Sequence, residues 1–141
     1  YDRVVVVGGG NAAGHVAAAL EGVLGDQIDD GVVVTDDPTT TDRVSVLSGS
    51  HPVPDAETVE NARRVVAAAD ADVRTLVLAV ITGGGSSLMT VPAGDVLLED
   101  VRQVIDRLLS TGVPIDELNT VRKHLSATKA GGWLAQLPPQ T

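Results

Sequence analysis

Two glycine-rich runs and one cluster of cations are where this chain could do chemistry. The first run, Gly8-Gly9-Gly10-Asn11-Ala12-Ala13-Gly14, follows the valines Val4 to Val7; the second, Thr82-Gly83-Gly84-Gly85-Ser86-Ser87, follows Leu76-Val77-Leu78-Ala79-Val80-Ile81. Apolar runs this short and this rich in valine predict buried strands rather than helices. Glycines at the carboxyl end of a strand let the backbone approach an anion, and a helix that follows offers free N–H groups. Two such loops suggest a polyanionic ligand; two tight strand-to-helix turns are the plainer alternative.

The loops differ in what they could hold. Gly8, Gly10 and Ala13 fit Gly-x-Gly-x-x-Ala, and Asp36 or Asp37 ends a following apolar run where a dinucleotide fold places its ribose-binding acid. NAD binding is therefore one expectation, and a simple Asp-Asp-Pro turn is its rival. The second loop lacks the Gly-Lys-Ser/Thr ending that puts a lysine on terminal phosphates. It keeps the backbone donors of Gly83, Gly84 and Gly85 and the hydroxyls of Ser86 and Ser87, a nest for phosphate or carboxylate in which the serines could also cap a helix. The cations are Arg122, Lys123 and His124, within Asn119-Thr120-Val121-Arg122-Lys123-His124-Leu125-Ser126. Val121 and Leu125, one turn apart, are expected to face the core and send Arg122 and Lys123 to the rim, where they could meet an anionic substrate. A solvated basic face is the plainer reading. Lysine is otherwise scarce: only Lys123 and Lys129 occur.

Composition removes several classes of function. There is no cysteine, and His15, His51 and His124 are widely spaced, so disulfides, a thiolate nucleophile and a zinc cluster are not expected; any metal would be held by oxygen ligands or by the substrate. A formal net charge of −9 argues against nucleic acid as a partner. No apolar run is long enough to span a bilayer, and the start has no secretory pattern, so a soluble cytoplasmic protein is expected. The surplus of aspartate, with no phenylalanine, suggests adaptation to a salt-rich cytoplasm, with an acidic mesophilic protein as the plainer alternative. At 141 residues, 43% of them hydrophobic, the chain can form one core. It opens on Tyr1 and closes on Pro138-Pro139-Gln140-Thr141, a proline pair of the kind that ends a helix or begins a linker, which suggests a piece of a longer protein.

The elements that must position these residues alternate. Strands are expected at 3–7, 32–35, 43–47 and 76–81, and helices at 12–24, 56–69, 98–110 and 115–126, with Gly25 as a C-terminal stop and Asp55 as an N-cap; 131–137 reads as a helix start. The prolines at 52 and 54 keep 49–54 out of a helix. This order predicts an α/β fold, a doubly wound parallel sheet with helices on both faces in three layers. The first and fourth strands are expected side by side at the sheet centre, so that both glycine loops open at one carboxyl edge.

Taken in order, Val-Val-Gly-Gly-Gly-x-Ala-Ala, Gly-x-His-Pro-Val-Pro-Asp at 49–55, Thr-Gly-Gly-Gly-Ser-Ser-Leu at 82–88 and Asn-Thr-Val-Arg-Lys-His-Leu-Ser at 119–126 resemble the N-terminal domain of the type II glycerate kinases. This is the glycerate 2-kinase family whose C-terminal part is the MOFRL domain and whose members are often labelled hydroxypyruvate reductase. The resemblance implies that 1–141 is part of a large N-terminal domain, with the active site in a cleft against a smaller C-terminal one. It implies transfer of the terminal phosphoryl group of ATP, with Mg2+, to the 2-hydroxyl of D-glycerate. The implied partners are small molecules, glycerate and ATP, with a homodimer left open. On this reading Gly9, Gly10, Gly83, Gly84, Gly85, Ser86 and Ser87 bind anionic groups, Arg122 and Lys123 neutralise their charge, and His51 and Asn11 line the cleft. Asn11 stands where the family usually has a functional lysine, and the family's Lys-Gly-Gly run is here Lys129-Ala130-Gly131-Gly132. An NAD(P)-dependent hydroxypyruvate reductase and a noncatalytic relative are the alternatives.

Overall fold

The computed structural model describes residues 1–137, 139 and 141; Pro138 and Gln140 lie outside them, and with them half of the expected proline stop. Four parallel strands form one sheet in the order β3-β2-β1-β4, with β1 at Arg3–Gly9, β2 at Asp30–Thr35, β3 at Val44–Ser48 and β4 at Thr75–Ile81. Side chains alternate across a strand, so successive valines of β1 feed opposite faces. Val5 and Val7 join Val34, Val77, Val65, Ala69, Leu88 and Trp133 on one face, while Val6 joins Val33, Val80, Ala13, Ala17 and Ile28 on the other. Both faces are thus apolar and both are covered: α1 (Ala13–Leu24) on the second face, α2 (Ala56–Ala69) on the first. The expected doubly wound parallel sheet is present.

Local signals set the ends of these elements. Gly25 follows α1 with φ 55°, a left-handed conformation that glycine adopts freely. Asp55 caps α2 reciprocally: its carboxylate accepts from the Thr58 N–H and hydroxyl, and the Thr58 hydroxyl accepts in turn from the Asp55 N–H. Those hydrogen bonds hold the Asp55 carboxyl below its ordinary value.

The remaining helices are α3 (Gly85–Leu88), α4 (Leu98–Ser110) and α5 (Ile115–Leu125), and Pro92 and Ser126 form an isolated antiparallel bridge. Three expectations change. β1 runs on through Gly8 and Gly9, because both glycines pair with β4 opposite Val80 and Ile81. Residues 131–137 form no α-helix: turns lead to a 3-10 segment at Leu134–Gln136, and Trp133 inserts into the core beside Val65 and Leu88. β4 pairs with β1 as expected, but it is an edge strand of these four rather than a central one.

Candidate functional site

The sheet order turns around between β1 and β4: from β1 the chain moves to β2 and β3 on one side and returns to β4 on the other. That reversal opens a crevice at the carboxyl ends, the place where ligands bind in such sheets. Both glycine loops sit there.

The loops are joined to each other by hydrogen bonds. Asn11 N–H donates to the Gly83 carbonyl at 2.7 Å, Thr82 N–H to Gly9 at 3.2 Å, and Ala12 N–H to the Thr82 hydroxyl at 3.2 Å. Gly10 N–H is bound to Val34 and Ala13 N–H to Gly10. Every N–H from Gly10 to Ala13 therefore has a partner inside the protein. The close approach also requires glycine: Gly84 has φ 80°, and a Cβ there would lie 1.9 Å from Asn11 Oδ1. In the second loop Gly85 donates to Thr82, and Ser87 and Leu88 donate to Gly84. Among the described residues, the N–H groups of Gly83, Gly84 and Ser86 have no acceptor.

Asn11, Asp36 and His51 meet at this edge. The Asn11 amide donates to both oxygens of Asp36, at 2.8 and 2.7 Å, and His51 Nδ1 stands 4.0 Å from Asp36 Oδ2. Asp36 thus faces Asn11 rather than an open ribose site, and Asp37 pairs with His15 at 3.0 Å on the exposed surface. At the expected NAD site Asp36, Asp37 and the N–H groups of residues 10 to 13 are thus all engaged within the chain.

The segment after His51 is tied down from below. The Pro52 carbonyl, following a cis His51–Pro52 peptide, accepts from the Ser87 hydroxyl and, at 3.2 Å, from Arg122 Nη2. Ser86 and Ser87 cap no helix, because α3 starts at Gly85 with Gly84 before it. Ser87 is buried and bound to the chain, while Ser86 is exposed. Arg122 corrects another expectation. It is buried, 6% exposed, instead of standing at the rim, because Leu118 and Arg122 rather than Val121 and Leu125 form the inward stripe of α5, and Pro52, 70 residues away in sequence, supplies a carbonyl for it. Burial pulls its guanidinium down from the ordinary arginine value. Lys123 is exposed, and His124 turns back to the Thr120 carbonyl at 2.8 Å.

Beside the second loop lies a cavity of about 340 Å³. Gly85 and Ser86 border it from α3, Asn119 and Lys123 from α5, and Thr128, Lys129 and Trp133 from the segment that follows. Both lysines of the chain line it. The Lys129 ammonium is buried, and burial, with the Arg122 charge adding to it, pushes its pKa down to about 8. Lys129 and Trp133 were not singled out as site residues from sequence. The signal was the lysine scarcity itself, which applies to Lys129 as much as to Lys123.

The described residues contain no group of three His, Asp or Glu side chains that could cage a metal. Mg2+ needs no such cage, since one or two carboxylates and substrate phosphates commonly hold it. Asp36 is a carboxylate at this edge that fits that role, although both its oxygens already accept from Asn11.

Fold and site define a doubly wound α/β domain with its candidate ligand loops at the switch point. Across residues 1–141 the chain matches the family described as a domain of unknown function, DUF4147, and it belongs to that family. It is 40% identical to the D-glycerate 2-kinase of Thermotoga maritima, over 98% of this chain and 34% of that protein. It is 46% identical to an Agrobacterium vitis protein with a provisional hydroxypyruvate reductase name, over 96% of this chain and 36% of that one. The crystal structure of a glycerate kinase from Thermotoga maritima superposes with a TM-score of 0.85, covering 99% of this chain and 34% of that one at 40% identity. The chain therefore spans about a third of the length of the relatives it matches.

Proposed function

We propose that the chain is part of the large N-terminal domain of a glycerate 2-kinase and forms one wall of its cleft, against residues that belong to the rest of the enzyme. The observation that carries this reading is the meeting of both glycine loops and the lysine-lined cavity at one switch point, in a chain 40% identical to a D-glycerate 2-kinase. In the reaction the 2-hydroxyl oxygen of D-glycerate bonds to the terminal phosphorus of ATP. The bond from that phosphorus to the β,γ-bridging oxygen breaks, ADP leaves, and the hydroxyl proton is released, so that ATP and D-glycerate give ADP, 2-phosphoglycerate and a proton. Positioning and charge neutralisation are what the protein adds to such a transfer. The free N–H groups at Gly83, Gly84 and Ser86 bind anionic oxygens, and Lys123 offsets their charge. Gly9, Gly10 and Gly85 permit the close packing beneath them, Ser87 and Arg122 hold the Pro52 carbonyl next to His51, and Gly83 and Asp36 hold Asn11 at the cleft edge. Mg2+, when bound, neutralises phosphate charge, and Asp36 is the residue that would hold it here. The acid surplus supports a cytoplasmic enzyme adapted to salt.

The test is a chimera in which this chain replaces the matching segment of the Thermotoga maritima enzyme. ATP- and D-glycerate-dependent formation of 2-phosphoglycerate is expected. A folded chimera that stays inactive, with Asn11 and also with Asn11→Lys, overturns the reading.

A further inference from the structure

Lysine side chains ordinarily lay their stems on apolar surface and keep the ammonium in water. Lys129 does the reverse: the residue is only partly buried, yet its Nζ is fully buried and has no hydrogen-bond partner among the described residues. Trp133 Nε1 and Arg122 Nε are also buried and unpartnered. Three orphaned donors, two of them cationic, come from one stretch of twelve positions, 122–133, and Lys129 and Trp133 line the same cavity. Buried donors left unpaired are costly, and buried cations more so, so the arrangement calls for an acceptor that the described residues do not supply.

We propose that Lys129 and Trp133 form the floor of a binding site for a compact oxyanion, a carboxylate or phosphate group, in the cavity between the second glycine loop and α5. Ile81, Met89 and Ala130 add apolar lining, and a contact made at the buried Lys129 Nζ is screened less than one at the surface. Lys123, Asn119 and Ser86 supply further donors around it, and Arg122 stands behind as a third positive charge. No carboxylate and no histidine lines the cavity among the described residues, so none of them competes with an anion there. The site deepens the kinase reading, on which it rests for the choice of anions, by naming where a charged end of substrate or nucleotide is held.

Trp133 is the chain's single tryptophan, so its fluorescence reports occupancy directly. Inorganic phosphate, D-glycerate and ATP are titrated separately into the purified chain at pH 7, with far-UV circular dichroism checking the fold of each variant. A saturable change with a Kd in roughly the millimolar range is expected for at least one of them. Lys129→Met should weaken that binding about tenfold or more, and Lys129→Arg should retain it. Raising the pH from 7 to 9 should weaken binding to the natural chain relative to Lys129→Arg, because Lys129 loses its proton near pH 8 while the guanidinium does not. A response to phosphate and ATP alone assigns the site to a phosphoryl group, a response to glycerate alone assigns it to a carboxylate, and either supports the proposal. No saturable response to any of the three, or a response that Lys129→Met leaves unchanged, overturns it. Lys129-dependent binding in the chain with no turnover in the chimera removes the kinase reading and keeps the site; turnover without such binding does the opposite.

Discussion

Asn11 carries more of this site than its size suggests. Its backbone joins the two glycine loops and its amide holds both oxygens of Asp36, so the position couples β1, β2 and β4 at the switch point. In the chimera, Asn11→Lys is expected to raise kcat, because an ammonium beside Asp36 adds a positive charge that an amide lacks where phosphoryl charge develops. Steady-state kinetics decide it: kcat and KM both unchanged would show that the asparagine is not limiting. Gly84→Val puts a Cβ 1.9 Å from Asn11 Oδ1 at φ 80°. Left-handed strain and the displaced amide together should cost roughly 2–4 kcal/mol in denaturant unfolding. Ser87→Ala is milder. It leaves the Pro52 carbonyl with Arg122 alone, and a loss of about 1–2 kcal/mol with little change in anion binding is expected, since the Ser87 hydroxyl bonds to the chain.

Among the elements, α2 was the most legible because its signals are local. Asp55 stands before a stripe of Val59, Ala62, Val65 and Ala69, all buried, with Glu57, Glu60, Arg63 and Arg64 exposed. Loss of the cap in Asp55→Ala should lower stability by about 1 kcal/mol. The Asp55 pKa is lowered on folding, so the cap's contribution is present in full above the unfolded-state carboxyl pKa and is lost as pH falls through the lower folded value. Thermal melts of both proteins should therefore converge in acid; a stability gap that persists there would assign the loss to something other than the carboxylate. The valine strands were equally legible, since a run buried on both faces needs no polar alternation. What could not be read was contact across the chain. Burial of Arg122 depends on a carbonyl 70 residues earlier, and residues 131–137 are shaped by the seat of Trp133 in the core rather than by helix propensity. The first glycine run looked like a dinucleotide loop because spacing shows glycines but not where their N–H groups go. Only the bonds to Gly83, Thr82 and Val34 show those donors to be occupied.

At the scale of the whole molecule, an acidic chain of net charge −9 places both its lysines at one cavity and leaves the ammonium of one buried without a hydrogen-bond partner among the described residues. Such a group lowers stability, and its linkage to pH has a definite sign. An unfolded lysine keeps its proton up to about pH 10.5, whereas folded Lys129 releases it near 8, so between those values the unfolded state binds more protons. Stability then rises with pH across that window, and below pH 8 the full penalty of the buried ammonium remains. A shift of this size corresponds to an upper figure of about 3 kcal/mol. Lys129→Met, which keeps the stem and removes the charge, is therefore expected to be more stable than the natural chain at pH 7 and to lose the advantage toward pH 10.5. Denaturant melts at several pH values measure both effects. A variant less stable than the natural chain at pH 7 would mean that the ammonium already has a stabilising partner.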